Sequence, residues 1–127
     1  MLERVQEFKR ILEAIIASKK SNPSKALEEI HQAFTATKFQ DKNVFDNFSV
    51  PELETFVNNE NIDYSSVDTI IDILFEEAEI RRDRTELNEL LLAKIEWLIA
   101  YAAQKEKEEK IFSFKRGYQR ERLKTFH

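Results

Sequence analysis

Hydrophobic residues recur through most of this chain at steps of three and four, the period of an α-helix. Leu2, Val5, Phe8, Leu12, Ile15 and Ile16 mark a first helix. It ends in Ser18-Lys19-Lys20-Ser21, where cations suit the negative end of the helix dipole. Asn22-Pro23 reads as the N-cap and first residue of a second helix, because proline lacks only an N–H that would be unpaired there. Ala26, Leu27, Ile30, Ala33 and Phe34 give that helix one apolar face. So short a connection predicts an antiparallel hairpin over residues 1–38.

The period breaks over residues 39–63. Asp41, Asn43, Asp46 and Asn47 supply turn chemistry, while Phe39, Phe45 and Phe48 predict a loop that packs. Ser49 and Glu52 then form a capping box, with Phe48 and Leu53 at the positions of a hydrophobic staple. The short helix through Leu53, Phe56 and Val57 stops at Asn58-Asn59-Glu60-Asn61. Residues 64–104 predict a second hairpin. Its first helix starts near Tyr64 and carries Val67, Ile70, Ile71, Leu74 and Ala78, with the pairs Glu77–Arg81 and Glu79–Arg82 on its wet side. A second capping box, Asp83 and Glu86, opens the long fifth helix. There Leu87, Leu91, Ile95, Leu98 and Ala102 form one face and Leu90, Trp97 and Tyr101 another, which predicts a central helix covered on several sides.

In residues 105–127 the run Lys105–Lys110 either continues the fifth helix or forms a solvated connector. Ile111, Phe112, Phe114, Tyr118 and Leu123 predict a sixth, C-terminal helix capped by Ser113, with Gly117 inside it at a cost of about 1 kcal/mol relative to alanine. The expected fold is one all-α domain of five or six helices: two antiparallel hairpins bridged by an irregular segment.

Composition removes several chemistries. The 127 residues include one glycine, two prolines and no cysteine. That excludes a glycine-rich phosphate loop, disulfides, thiolate metal sites and thiol catalysis. The start of the chain turns directly into an amphipathic pattern and reads as no signal peptide. The most apolar stretch, Leu90 to Ala103, holds Lys94 and Glu96 and is too short to span a bilayer. A reduced, cytoplasmic setting is expected.

The candidate chemistry is thin. Glu28 and His31 make one Glu-x-x-His pair, whereas a di-iron bundle needs two pairs and two further carboxylates, so His31 reads as a surface or boundary residue. Asp68, Asp72 and Glu76 stand at i, i+4 and i+8 and read as a solvated, salt-bridged face rather than an acid–base pair. Arg122-x4-His127 resembles the motif of HEPN-type helical ribonucleases, with the histidine at the terminal position where fraying is expected. No catalytic, cofactor or metal residue is assigned, and no enzyme is expected.

Charge distribution adds one feature. Residues 111–127 carry a net +4, which leaves −8 on the first 110 residues of a chain at −4. Ile111, Phe114 and Tyr118 fall at helical spacing and read as a packing stripe that closes the core, with the cationic side wet. Lys115, Arg116, Tyr118, Arg120 and Arg122 are the candidate partner-binding residues, first for an acidic protein surface and second for nucleic acid. A homodimer is the open alternative for covering Trp97 or Phe75.

Ala26, Ile30 and Ala33 stand at i, i+4 and i+7, as do Leu91, Ile95 and Leu98. The spacing resembles the second helix of a tetratricopeptide repeat, although the repeat's first-helix tryptophan, leucine–glycine and tyrosine positions and its closing proline are absent. The segments Asn22-Pro23-Ser24-Lys25-Ala26-Leu27-Glu28-Glu29-Ile30, Ser49-Val50-Pro51-Glu52-Leu53 and Phe75-Glu76-Glu77-Ala78-Glu79-Ile80 resemble an uncharacterised family of small bacterial tetratricopeptide-like helical proteins. That resemblance implies a solenoid-like helical scaffold for protein contacts. The leading expectation is a non-enzymatic protein–protein interaction module, followed by a small nucleic-acid-binding protein and, more remotely, a HEPN-like ribonuclease.

Overall fold

One residue, Asn22, separates α1 (Leu2–Ser21) from α2 (Pro23–Thr35), and its side chain accepts the N–H of Lys25 at 3.2 Å. The computed structural model describes residues 2–62, 64–82 and 85–126, without the side chains of residues 2–8, 64, 65 and 85–87. The expected packing of Leu2, Val5 and Phe8, the capping box Asp83–Glu86, Leu87 and His127 therefore lie outside the described residues. The helices α1 and α2 pack on each other as the short turn requires, pinned by a 2.9 Å bond from the Ser18 hydroxyl to Glu29.

Seven helices, and no strand, lie among the described residues, where the sequence predicts five or six. The additional helix is α3 (Lys42–Asn47), inside the segment expected to be irregular. Asp41 caps it by accepting the N–H of Asn43 at 2.8 Å. Six residues carry too little period to announce themselves, and an Asp at a helix N-cap looks the same in sequence as an Asp in a turn.

The expectation that this segment packs is met by ring geometry. Phe45 lies 5.3 Å from both Phe34 and Phe39, and Phe39 stacks on Phe56 at 5.0 Å. The capping box of α4 (Val50–Glu60) is present, with Glu52 N–H to Ser49 Oγ at 3.3 Å and Ser49 N–H to Glu52 Oε1 at 3.0 Å. The helix stops at Asn61, left-handed at φ 48°, and the Ile62 N–H reaches back to the Val57 carbonyl. Val57 and Ile62 are both buried, so an apolar contact seals this ending. The Tyr101 hydroxyl donates to the Ile62 carbonyl at 2.7 Å and ties it to α6 (Thr85–Glu108).

The helix enclosed on most sides is α5 (Tyr64–Ile80), not α6 as the apolar faces suggested. From Val67 to Ala78 only Thr69 and Asp72 are even half-exposed, whereas α6 leaves Leu90, Glu96 and Ala100 in solvent. Helices α1, α2 and α6 pack on α5. At its end, Asn88 donates to the carbonyls of Ala78 and Arg81 at 3.1 and 3.0 Å, satisfying acceptors that a helix terminus leaves open. The charged run Lys105–Glu108 continues α6, so the connector is Glu109–Phe114 and the last helix is α7 (Lys115–Lys124). None of the described helices is long and apolar enough to cross a membrane.

Candidate interaction surface

α6 ends with the same backbone pattern as α4 but without its apolar seal. The Ile111 N–H bonds to the Glu106 carbonyl at 2.8 Å and the Lys110 N–H to the Lys107 carbonyl at 3.2 Å, the paired pattern of a Schellman stop. The left-handed position of that stop is filled by Lys110 at φ 58°, where glycine carries no steric penalty and a lysine does. The residue after it, Ile111, is exposed rather than packed. The chain then reverses, and the Ser113 hydroxyl accepts the Lys115 N–H at 3.2 Å as α7 begins.

The face that α7 buries is Arg116, Gln119 and Leu123, spaced i, i+3 and i+7. Arg116 binds Glu106 through Nε at 2.6 Å and also pairs with Asp68 and with Gln119. Gln119 in turn donates to Asp68 at 3.1 Å. One heptad on from Lys115, Arg122 holds Glu76 at 2.5 Å and Glu79 at 3.0 Å. Lys115 reaches Asp72 at 3.3 Å near the solvent. Lys19 of α1 meets the same carboxylates, Glu76 at 2.7 Å and Glu79 beside it. Asp68, Asp72 and Glu76, expected as a solvated face, are thus the seat of α7, with Asp68 and Glu76 buried.

Electrostatics at this seat favours the charged forms. Burial works against the cations of Lys19 and Arg122, but their hydrogen bonds to Glu76 and Glu79 outweigh it and both pKa values are raised. Burial likewise opposes the Glu79 carboxylate, yet its bonds to Lys19 and Arg122 hold its pKa below the usual range. Few apolar contacts assist: Leu123 is buried, and Phe126 stacks on Phe75 at 6.2 Å under the Arg82 guanidinium. Arg82 was expected on Glu79 and Arg81 on Glu77; the second pair forms, at 2.8 Å, and Glu79 is taken by Lys19 and Arg122.

With the cations turned in, the aromatic residues are turned out. Phe112, Phe114 and Tyr118 are 81%, 76% and 77% exposed, and the first two meet edge-on at 5.0 Å. The reading of Ile111, Phe114 and Tyr118 as a core-closing stripe with wet cations is therefore inverted. Of the five predicted partner-binding residues, Arg116 and Arg122 are committed to this chain's own carboxylates. Lys115 is half committed, while Tyr118 and Arg120 stand exposed. They do not share a face, because Arg120 turns toward Glu96, Ile99 and Ala100 of α6. Sequence reasoning missed Phe112 and Phe114 as surface residues. The available signal was the match between acids at 68, 72 and 76 on α5 and Lys115, Gln119 and Arg122 at the same helical period.

A second charged cluster sits beneath the phenylalanine rings and has a structural role. Lys94 is buried and donates to the carbonyls of Phe45 and Asp46, the end of α3, at 2.6 and 3.0 Å. Burial pushes its pKa down to about 8, and neighbouring Lys42 adds to the shift against the pull of Asp46 and Glu77. Lys42, also buried, pairs with Asp46 and with Glu77 at 2.8 Å. His31 is half-buried on α2, and among the described residues no group of His, Asp and Glu could hold a metal ion. Compared with family models, with curated proteins and with solved structures, the chain matches none.

Proposed function

We propose that this chain is a non-enzymatic protein–protein interaction module, a tetratricopeptide-like helical scaffold that presents the ridge Ile111, Phe112, Phe114 and Tyr118 to a partner. One observation carries the reading: three large aromatic side chains within seven residues are exposed, two of them in contact, on a segment whose Arg116 and Arg122 are used to hold it down. Aromatic side chains concentrated at one surface are what interface hot spots are made of. The exposed cations Lys110 and Lys115, neighbours of the ridge residues in sequence, favour a partner with an acidic rim. Nucleic acid is the weaker reading, since Arg116 and Arg122 are already neutralised and few cations remain to release counterions from phosphate. A cytoplasmic setting belongs to the same reading, in keeping with a chain that contains no cysteine.

The test is capture of a saturable protein partner by the full chain and by a Phe112→Ser, Phe114→Ser, Tyr118→Ser variant. The variant is expected to keep its helical circular dichroism and lose the partner. Equal capture by both proteins, or no saturable partner at all, overturns the proposal.

A further inference from the structure

We infer that α7 is an exchangeable helix, and that the seat it occupies on α5 and α6 accepts the α7 of a second copy of this chain. Three features converge on this, and they go beyond the ridge's use as a contact surface.

The first is the hinge. Glu109–Phe114 contains neither glycine nor proline, so nothing in the sequence forces the helix to stop there. The reversal depends on Lys110 in the left-handed region, a conformation that costs a lysine and is relieved if the residue becomes helical.

The second is register. If α6 runs straight through Lys110 into α7, Phe112 stands at i relative to Arg116 at i+4, Gln119 at i+7 and Leu123 at i+11. These three are the buried face of α7. Phe112, the most exposed hydrophobic side chain described, thereby joins the docking face. Ile111, Phe114 and Tyr118, at i, i+3 and i+7, remain aligned on the opposite side.

The third is direction and charge. α7 runs antiparallel to α6: Arg116 meets Glu106, Leu123 and Lys124 lie by Glu96, and Phe126 lies by Asn88 and Leu92. Two chains with straightened α6–α7 helices can then pair antiparallel, each α7 on the other's seat, with the two Phe112 side chains meeting at the crossing. The described ion pairs that hold α7 in place are between side chains: Arg116 with Asp68 and Glu106, Arg122 with Glu76 and Glu79, Lys115 with Asp72. Such contacts form equally well within one chain or between two, and the basic α7 complements the acidic seat in both. Exchange of an identical element is a low-cost route to a dimer, driven by concentration and by release of hinge strain.

The experiment uses the full chain in two isotopic forms, ¹⁴N and ¹⁵N, mixed one to one in denaturant, refolded at high concentration and treated with a carbodiimide. Lys115 and Asp72, 3.3 Å apart, give the diagnostic zero-length cross-link. In an exchanged dimer about half of these links join a light peptide to a heavy one, as random pairing of two chains requires. Finding only same-label links at the highest soluble concentration overturns the inference. Lys110→Gly supplies a second reading, because glycine removes the strain at both hinges and disfavours the straightened helix. The dimer dissociation constant from sedimentation is expected to rise on the order of 100-fold, and an unchanged constant counts against exchange. Neither result touches capture of a partner through Phe114 and Tyr118, so failure of exchange and failure of the proposed function are read separately.

Discussion

Two short segments of this chain are equally rich in aromatic residues and end in opposite places. Phe39, Phe45 and Phe48 fold inward with α3 onto Phe34 and Phe56, whereas Phe112, Phe114 and Tyr118 face solvent beside α7. Each has buried or half-buried cations beneath it, and their use explains the difference. Under the first segment Lys94 satisfies the end of a six-residue helix and Lys42 pairs with Asp46 and Glu77, so the rings are free to fill the space above them. Under the second, Arg116 and Arg122 are themselves the adhesive, and the one face that α7 can bury is already taken. An aromatic side chain goes to the core only if the helix register leaves it the inward position.

The largest effect separates the two ring groups directly. Phe45→Ala removes a fully buried ring in contact with two others, and is expected to cost about 3–5 kcal/mol in chemical denaturation. Phe114→Ala removes an exposed ring, and its effect should stay within about 0.5 kcal/mol. Similar losses for both would mean that the outer rings are packed after all.

Next in size is the attachment of α7. Arg116→Met leaves Asp68 and Glu106 buried without their cation, a loss of about 3 kcal/mol locally. Because few apolar contacts join α7 to the body, the cost is limited by its undocking. Hydrogen exchange is expected to show residues 115–124 losing protection while α3 and α4 keep theirs. A uniform loss through the whole chain would show that α7 is integral to the core.

The two charged clusters also differ in their response to pH. Lys94 titrates near pH 8 in the folded chain and near 10.5 when unfolded. Between those values the unfolded state holds one proton more, so stability rises with pH. The gain from pH 7.5 to 9.5 is expected to be about 2 kcal/mol, and Lys94→Met should abolish it. The pairs around Arg122 and Glu79 act in the same sense, stability rising with pH, but in the acid range. With Glu79 held low, their contribution is complete above the unfolded carboxylate range and is lost as the pH falls through the lowered value. Urea titrations of the wild type and Lys94→Met across both ranges check the two windows independently: the variant should lose the alkaline rise and keep the acid one.

How far these features can be read in advance depends on whether their cause is local. Asn22-Pro23 and the box Ser49–Glu52 were legible because a cap is a hydrogen bond between residues three apart, written in the residue types themselves. The three phenylalanines of residues 39–48 correctly implied packing, while α3 was too short for its period to register. Lys94 read as a polar interruption of α6 because its acceptors lie about fifty positions away. The face buried by α7 failed for the same reason. A period of three and four identifies a stripe, and the carboxylates of α5 decide which stripe is turned in. The ridge was hidden because its exposure follows from that distant choice.

Gly117, the chain's single glycine, gives the smallest effect and the opposite sign. It lies in the first turn of α7 on the exposed side, without a positive φ, and a Cβ built there meets nothing within 4 Å. Neither a tight turn nor a close approach requires it, so alanine gains helix propensity and restricts the unfolded chain at no steric cost. Gly117→Ala is expected to stabilise α7 by about 0.5–1 kcal/mol. The gain should appear as slower hydrogen exchange in residues 115–124, with the denaturation midpoint of the body little changed, since α7 is joined to it chiefly by ion pairs. In Arg116→Met the same substitution should restore part of the lost protection. If Gly117→Ala instead raised the midpoint of the whole chain, α7 would be coupled to the core as tightly as the Phe39–Phe48 segment, and the contrast between the two aromatic regions would fail.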